Sequence, residues 1–472
     1  MRPFPFLWPR LRLVLALARR GCGQQWEKWR TGRGLARYRG RWCAAWMLAL
    51  IVPTGAPAAA LRLAVIGDSL SAEYDALPNI PGVEDPTAYA AVTVPGWESR
   101  CWAEVLAVLR QGVVDFGEQK PALPGWNDLR FTGYQNNFAI PGFEASQYEE
   151  IVSSSLWSNP QYFTFKLTLG DRLRSGADAA VVWLGANEFR AHYGSVYEGG
   201  DPAPLVQNLK SDLAKVLDFV RNQSASLRLV VVNLPDLGAA PSKQAAHPDP
   251  VKRERVSHAT RLANQAIGEL AAARGLPVAD AYAATRRLIE GQTVWFGPVD
   301  IYPGSDPDNH PRWAFARDGL HPNTALQTEI ARLIVAALNT HYGTSIPLLT
   351  DGEALGLLGI SPQQPYFEWA AARGLSPSGM GDDPDRDGLV NLVECAFDLD
   401  PSRQSQSPVT ISPSPSGVEV SYRPDARQAR LVSVTPQSSP NLTHWTDVPA
   451  ALVSTAADGR VTVRFPATGA AG

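Results

Sequence analysis

Four short fragments, met in order along the chain, hold the residue types of an acyl-transfer centre. They are Gly67-Asp68-Ser69-Leu70, Asn137-Phe138-Ala139-Ile140-Pro141-Gly142, Gly185-Ala186-Asn187-Glu188 and Asp318-Gly319-Leu320-His321-Pro322. A serine hydroxyl is a weak nucleophile near neutral pH and needs an imidazole to take its proton. His321 can do that, and Asp318, three residues earlier, can bond the other ring nitrogen and fix its tautomer. Ser69, then Asp318, then His321 is one of the chain orders in which serine triads occur. A tetrahedral intermediate also needs donors aimed at its oxyanion, each worth roughly 2.7–4 kcal/mol. The Ser69 and Gly142 backbone N–H groups and the Asn187 amide are the candidates, and glycine at 142 lets backbone approach substrate closely. Taken alone, Gly-Asp-Ser is ordinary turn chemistry and Asp-Gly-Leu-His-Pro an ordinary helix start. The ordered set points to ester hydrolysis.

Those residues need strands to carry them. Leu61–Ile66, Ala179–Leu184, Leu227–Asn233 and Leu276–Ala279 are short apolar runs bounded by Gly, Asn or Asp and are predicted strands, with a further strand expected within Arg130–Ile140. Between them lie helical spacings over Trp97–Arg110, Leu205–Val220, Val251–Arg274 and Thr324–Leu338. Alternation of this kind predicts βαβ units and a parallel sheet covered on both faces. Active residues then belong at the carboxyl ends of the strands, where Ser69, Gly142 and Asn187 fall. Two stretches break the pattern. Residues 77–95 read as a loop beside the site. Residues 291–317 form a long loop whose Trp295, Phe296, Tyr302, Trp313 and Phe315 would line an apolar cleft or make a local core.

The four fragments resemble the blocks of the GDSL, or SGNH, esterases and lipases. The third departs: the family pattern is Gly-x-Asn-Asp, whereas this chain has Glu188 after Asn187. The resemblance covers residues 61–345. It implies a three-layer α/β/α, flavodoxin-like domain with a five-stranded parallel sheet and an ester as substrate; a serine triad needs no cofactor for catalysis, and the segments appended after the domain lean towards acylated polysaccharide. The common α/β-hydrolase arrangement lacks its nucleophile here, since no Gly-x-Ser-x-Gly elbow occurs.

At 472 residues the chain exceeds a single core, and its 45% hydrophobic and 19% charged residues are an ordinary globular balance. The first 41 residues carry eleven Lys/Arg and one acid, followed by the apolar run 43–52 and the small residues 55–60. That order predicts a basic extension and signal peptide over residues 1–60, hence a secreted, periplasmic or cell-surface protein. Its removal leaves 32 bases against 45 acids, a net charge of −13, which argues against a nucleic-acid partner. Only Cys101 and Cys395 would remain, in different segments.

Beyond residue 345 the chemistry changes. Residues 346–402 are expected to be a helical linker carrying an acidic loop at 383–394. Asp383, Asp385, Asp387 and Asn391 offer oxygens at positions 1, 3, 5 and 9 of a twelve-residue calcium loop, Gly388 takes the turn at position 6, Leu389 lends a carbonyl and Glu394 closes it at position 12. The loop resembles an EF-hand loop without its entering helix, as in thrombospondin type 3-like or dockerin-like modules, which implies a structural calcium. Residues 403–472 alternate with period two at 418–422, 431–434 and 460–465 and are expected to form a small β module, minimal or truncated, with a cell-surface or glycan target.

Overall fold

The computed structural model describes residues 14–16, 59–74, 97–120, 129, 133–375, 379–414, 417–439 and 443–466. Apart from Val14–Ala16, the basic extension and signal assigned to residues 1–60 lie outside the described residues up to 58, as does the loop at 77–95. Among the described residues no helix is long and apolar enough to cross a membrane. The chain divides into two units: residues 59–296 and 300–360 form one, and residues 361–466, with 14–16 and 297–299, the other.

The first unit is built on five parallel strands. They are β1 (Leu61–Gly67), β2 (Val114–Asp115), β3 (Ala179–Trp183), β4 (Arg228–Val232) and β5 (Val278–Ala279), in the spatial order β2-β1-β3-β4-β5. Each central strand sends alternate side chains to opposite faces, as the pleat requires. Ala64, Ile66, Ala180, Val182, Leu229 and Val231 enter one core; Leu63, Val65, Val181, Trp183, Val230 and Val232 enter the other. The first core is roofed by α2 (Ala145–Ser153), α3 (Pro160–Asp171), α5 (Ala203–Gln223) and α6 (Pro250–Ala273). The second is roofed by α1 (Trp102–Leu109) and α7 (Thr324–Tyr342). This is the three-layer α/β/α sandwich that the alternating pattern predicts. The strand order reverses between β1 and β3, and crevices for ligands open at such reversals.

Two expectations change. The segment at 130–140 holds a strand, but outside the parallel sheet: Gly133–Tyr134 pairs antiparallel with Gln119–Lys120, and Asn137 makes a single parallel bridge to Val65. The fifth strand is instead β2, whose two residues are too short to show a period. The first unit also runs past 345, because Ile346 and Leu349 are buried in its core and Arg110 grips Glu353 at 2.9 and 3.0 Å. Within 291–317, Phe296 and Phe315 are buried, Tyr302 meets Trp313 edge-on, and Arg312 lies over Tyr302.

In the second unit, helices Gln364–Ala372 and Asn391–Phe397 share one core with Leu431 and Val432, joining the helical linker and β module that the composition had separated. Four antiparallel strands, Val409–Ser414, Gly417–Tyr422, Val461–Pro466 and Val453–Thr455, form its sheet in that order. Cys101 and Cys395 are both free and buried.

Candidate active site

Ser69 sits on a turn that folds back at the end of β1. The Asp68 carboxylate accepts the Leu70 N–H at 2.9 Å, and the Asp68 carbonyl accepts those of Ser71 and Ala72 at 3.1 and 3.0 Å. Gly67 makes this possible, since a Cβ there would stand 2.9 Å from Ser71 Cβ and 3.0 Å from the Trp183 carbonyl. The next fragment runs alongside: Val65 donates to Asn136, and Phe138 and Ile140 donate back to Val65 and Gly67. Asn137 locks the two together, its amide donating to the Ser71 carbonyl at 2.9 Å while its oxygen accepts from Ala139. Ile140-Pro141-Gly142-Phe143 then closes a reverse turn, Phe143 donating to Ile140, with Gly142 at φ +79°. Proline second and glycine third are what such a turn demands. No acceptor is recorded for the Gly142 N–H among the described residues.

Asn187 lies in the first turn of α4 (Ala186–Tyr197), which follows β3 through Gly185 at φ +113°. Its amide donates to the Phe143 carbonyl at 3.0 Å and reaches Asp68 at a long 3.4 Å, and Arg190 holds its oxygen at 3.1 Å. The side chain thus stands between the residue before Ser69 and the residue after Gly142. The amino end of α4 adds positive potential there.

His321 comes from the loop before α7. Asp318 folds that loop, one oxygen accepting the Leu320 and His321 N–H groups at 2.9 and 3.0 Å. Its other oxygen meets His321 Nδ1 at 2.5 Å, and Nε2 meets Ser69 Oγ at 2.9 Å. Burial pushes the Asp318 carboxyl up, but the His321 ring and the two N–H donors outweigh it and hold it below the usual value. With the carboxylate ionised, Nδ1 carries the hydrogen and Nε2 is free to accept from the hydroxyl. The arrangement can deprotonate Ser69 as it attacks a carbonyl carbon and return the proton to a leaving group.

Several supporting residues left no mark in the sequence pattern. Tyr148 Oη, on α2, donates between the carbonyls of Gly67 and Phe138, at 2.8 and 2.6 Å, clamping β1 to the glycine fragment. Gln327, on α7, donates to the Leu70 carbonyl at 3.1 Å and to Tyr74 Oη at 2.7 Å, and Tyr74 stands edge-on to the His321 ring. The Glu188 departure is structural: one oxygen accepts the N–H of Ala145, the first residue of α2, while the other is buried without a partner. Burial, then the negative charges of Glu144 and Asp68, push its carboxyl up to about 7; burial likewise lifts Asp68 to about 6.

The acidic loop belongs to the second unit, where carboxylate oxygens of Asp383, Asp385 and Asp387 lie within 4.8 Å of one another. Glu394 is buried behind them on Asn391–Phe397, Gly388 takes its turn at φ +90°, and Leu389 donates its N–H to Asp387 at 2.7 Å. The Asn391 amide donates to the Gly379 carbonyl at 3.2 Å.

Comparison with known proteins agrees with the site. No curated protein matches the chain. Among solved structures, an extracellular lipase from Streptomyces rimosus is 15% identical, covering 59% of this chain and 100% of its own, at a TM-score of 0.34. Phospholipase A1 from Streptomyces albidoflavus is 18% identical over 60% of this chain and 100% of its own, at 0.32. A putative GDSL-like lipase from Parabacteroides merdae is 12% identical over 59% and 95%, at 0.33. The model of the GDSL-like lipase/acylhydrolase family matches residues 63–334, a stretch that takes in all four fragments. More than half of the chain fits it, and the protein belongs to that family of ester-bond hydrolases.

Proposed function

We propose that Ser69 is the nucleophile of an esterase that works through an acyl-serine intermediate. His321 takes the Ser69 proton as Oγ bonds to the ester carbonyl carbon. Asp318 holds the ring and steadies the imidazolium. The Ser69 and Gly142 N–H groups and the Asn187 amide receive the oxyanion. Collapse of the tetrahedral adduct breaks the ester C–O bond, and His321 protonates the departing alcohol. Water, deprotonated by the same ring, then attacks the acyl carbon and frees the acid and Ser69. The observation that carries this reading is the unbroken relay Asp318–His321–Ser69, at 2.5 and 2.9 Å.

Within the class we favour short acyl groups on a carbohydrate over the long chains of a lipid. The support is architectural: a second unit of helices and an antiparallel sheet accompanies the hydrolase, as suits work on a surface or polymer. We also place the reaction outside the cytoplasm, on the strength of the basic-then-apolar order of residues 1–60. N-terminal sequencing of protein recovered from culture medium or periplasm tests that placement.

The test of function is turnover of p-nitrophenyl acetate, butyrate and octanoate beside acetylated xylan and an emulsified triglyceride, with Ser69→Ala as control. Activity confined to acetyl donors and lost in the variant supports the reading. Preference for octanoate and triglyceride moves it to a lipase. Absence of turnover on every ester, with no phosphonate adduct on Ser69 in folded protein, leaves a binding protein on a hydrolase scaffold.

A further inference from the structure

The second unit holds a buried carboxylate that its own hydrogen bonds do not explain. Glu394 has no exposed surface, and both of its carboxylate oxygens lack a hydrogen-bond partner among the described residues. An ionised carboxylate taken from water without a partner costs several kcal/mol and is not retained without compensation. Nor is the surrounding charge a compensation. Its charged neighbours Asp385, Asp387 and Asp383 are all negative and offer it no counter-charge. One oxygen of Asp385 is also buried and unpartnered. Oxygens of Asp383, Asp385 and Asp387 lie within 4.8 Å of one another, and Glu394 closes the same twelve-residue loop. A divalent cation at their centre would supply what each of them lacks.

We propose that Asp383, Asp385, Asp387 and Glu394 bind a calcium ion, and that this ion fastens the helical half of the second unit to the segment entering its sheet. The loop is already tied at both ends. Asp387 accepts the Ser405 N–H at 2.7 Å, and the Asp385 carbonyl accepts from Gln404 at 3.2 Å, just before the strand Val409–Ser414. On the other side Asn391 donates its N–H to Asp382 at 2.8 Å and Leu392 donates to Met380 at 3.0 Å, fixing the start of the helix that carries Glu394. A glutamate at position twelve able to bind through two oxygens, and an all-oxygen set of four acids, suit calcium. Magnesium is smaller, demands six near-octahedral ligands and gives up its water reluctantly.

The test uses the full chain, freed of divalent ions with a chelator, titrated calorimetrically with calcium chloride and separately with magnesium chloride. Thermal unfolding and limited proteolysis are followed in parallel. One calcium per chain is expected, with Kd of about 0.1–1 mM or tighter, at least tenfold weaker magnesium binding, and calcium protection against cleavage between residues 398 and 408. Glu394→Gln should weaken calcium binding at least tenfold. In metal-free protein the same variant should unfold no earlier than the parent, because it removes an uncompensated charge; that outcome separates loss of a ligand from loss of fold. Ser69→Ala should bind calcium as the parent does. Absence of calcium binding at millimolar concentration, or binding and protection unchanged in Glu394→Gln, would overturn the proposal.

Discussion

Asp318 spends both carboxylate oxygens within one turn, one on the backbone and one on the His321 ring. An asparagine there would keep the turn but present an N–H to Nδ1, forcing the ring hydrogen onto Nε2, where it blocks the Ser69 proton. Asp318→Asn should therefore lower kcat about 10⁴-fold with little change in KM, measured by steady-state hydrolysis of p-nitrophenyl acetate. Glu188 and Asp68 act on stability rather than on the reacting atoms. Both carboxyls are raised in the folded protein, to about 7 and about 6, from ordinary values of 4.5 and 3.8. A raised acid favours folding while it is protonated. Its contribution is complete below the ordinary value and is lost as pH climbs through the raised one. The Glu188 shift alone corresponds to roughly 3 kcal/mol. Thermal unfolding should fall between pH 4.5 and 7, and Glu188→Gln should flatten that fall and raise Tm at pH 8. An unchanged slope in the variant would remove Glu188 from the account.

At the scale of elements, the site is held by short connections between strand ends and helix starts. Gly185 is one of them. It combines a φ of +113° with a Cβ position 2.8 Å from Leu234 Cδ2 and 2.9 Å from Leu209 Cδ1. Gly185→Ala should cost roughly 2–4 kcal/mol through strained backbone and overpacking, lower kcat by displacing Asn187, and show both in a melt and an assay. Gly268 is the control. It lies inside α6 with nothing within 4 Å of its missing Cβ, so Gly268→Ala should stabilise by up to about 1 kcal/mol. The same elements show what a sequence can reveal. β1, β3 and β4 were legible because strands buried on both faces are continuous apolar runs, and the triad because its residue types recur in a fixed order. β2 was not, since two residues carry no period. The 130–140 segment reads as one strand, yet it gives Gly133–Tyr134 to a separate ribbon and a single bridge at Asn137 to β1, which the Asn137 side chain reinforces. The start of α3 was signalled by Asn159 before Pro160, with Asn159 accepting the Tyr162 N–H at 3.0 Å, but its weakly amphipathic body hid it. Glu188 shows only as a departure in the sequence. Its bond to Ala145 depends on α2 and α4 meeting, which no local pattern encodes.

Over the whole molecule, each unit has a core of its own: the sheet-flanking cores draw on residues 63–349, and the smaller ones on residues 366–465. Cutting the chain after Ile360 should therefore leave a folded hydrolase. Its kcat/KM on p-nitrophenyl acetate should match the full chain, whereas any preference for polymeric over soluble esters should weaken. A truncated protein that cannot fold, judged by loss of a cooperative melt, would show that the second unit completes the first. The order in which the chain is made adds a further consequence. Ser69 and His321 meet across 252 positions of sequence, with the sheet and most of its helices between them. A growing polypeptide that has exposed its serine still lacks the ring that activates it until nearly the whole unit has been synthesised. Acyl transfer is thereby postponed to the end of synthesis, and a nascent chain carries a harmless hydroxyl past the esters of the cell that makes it.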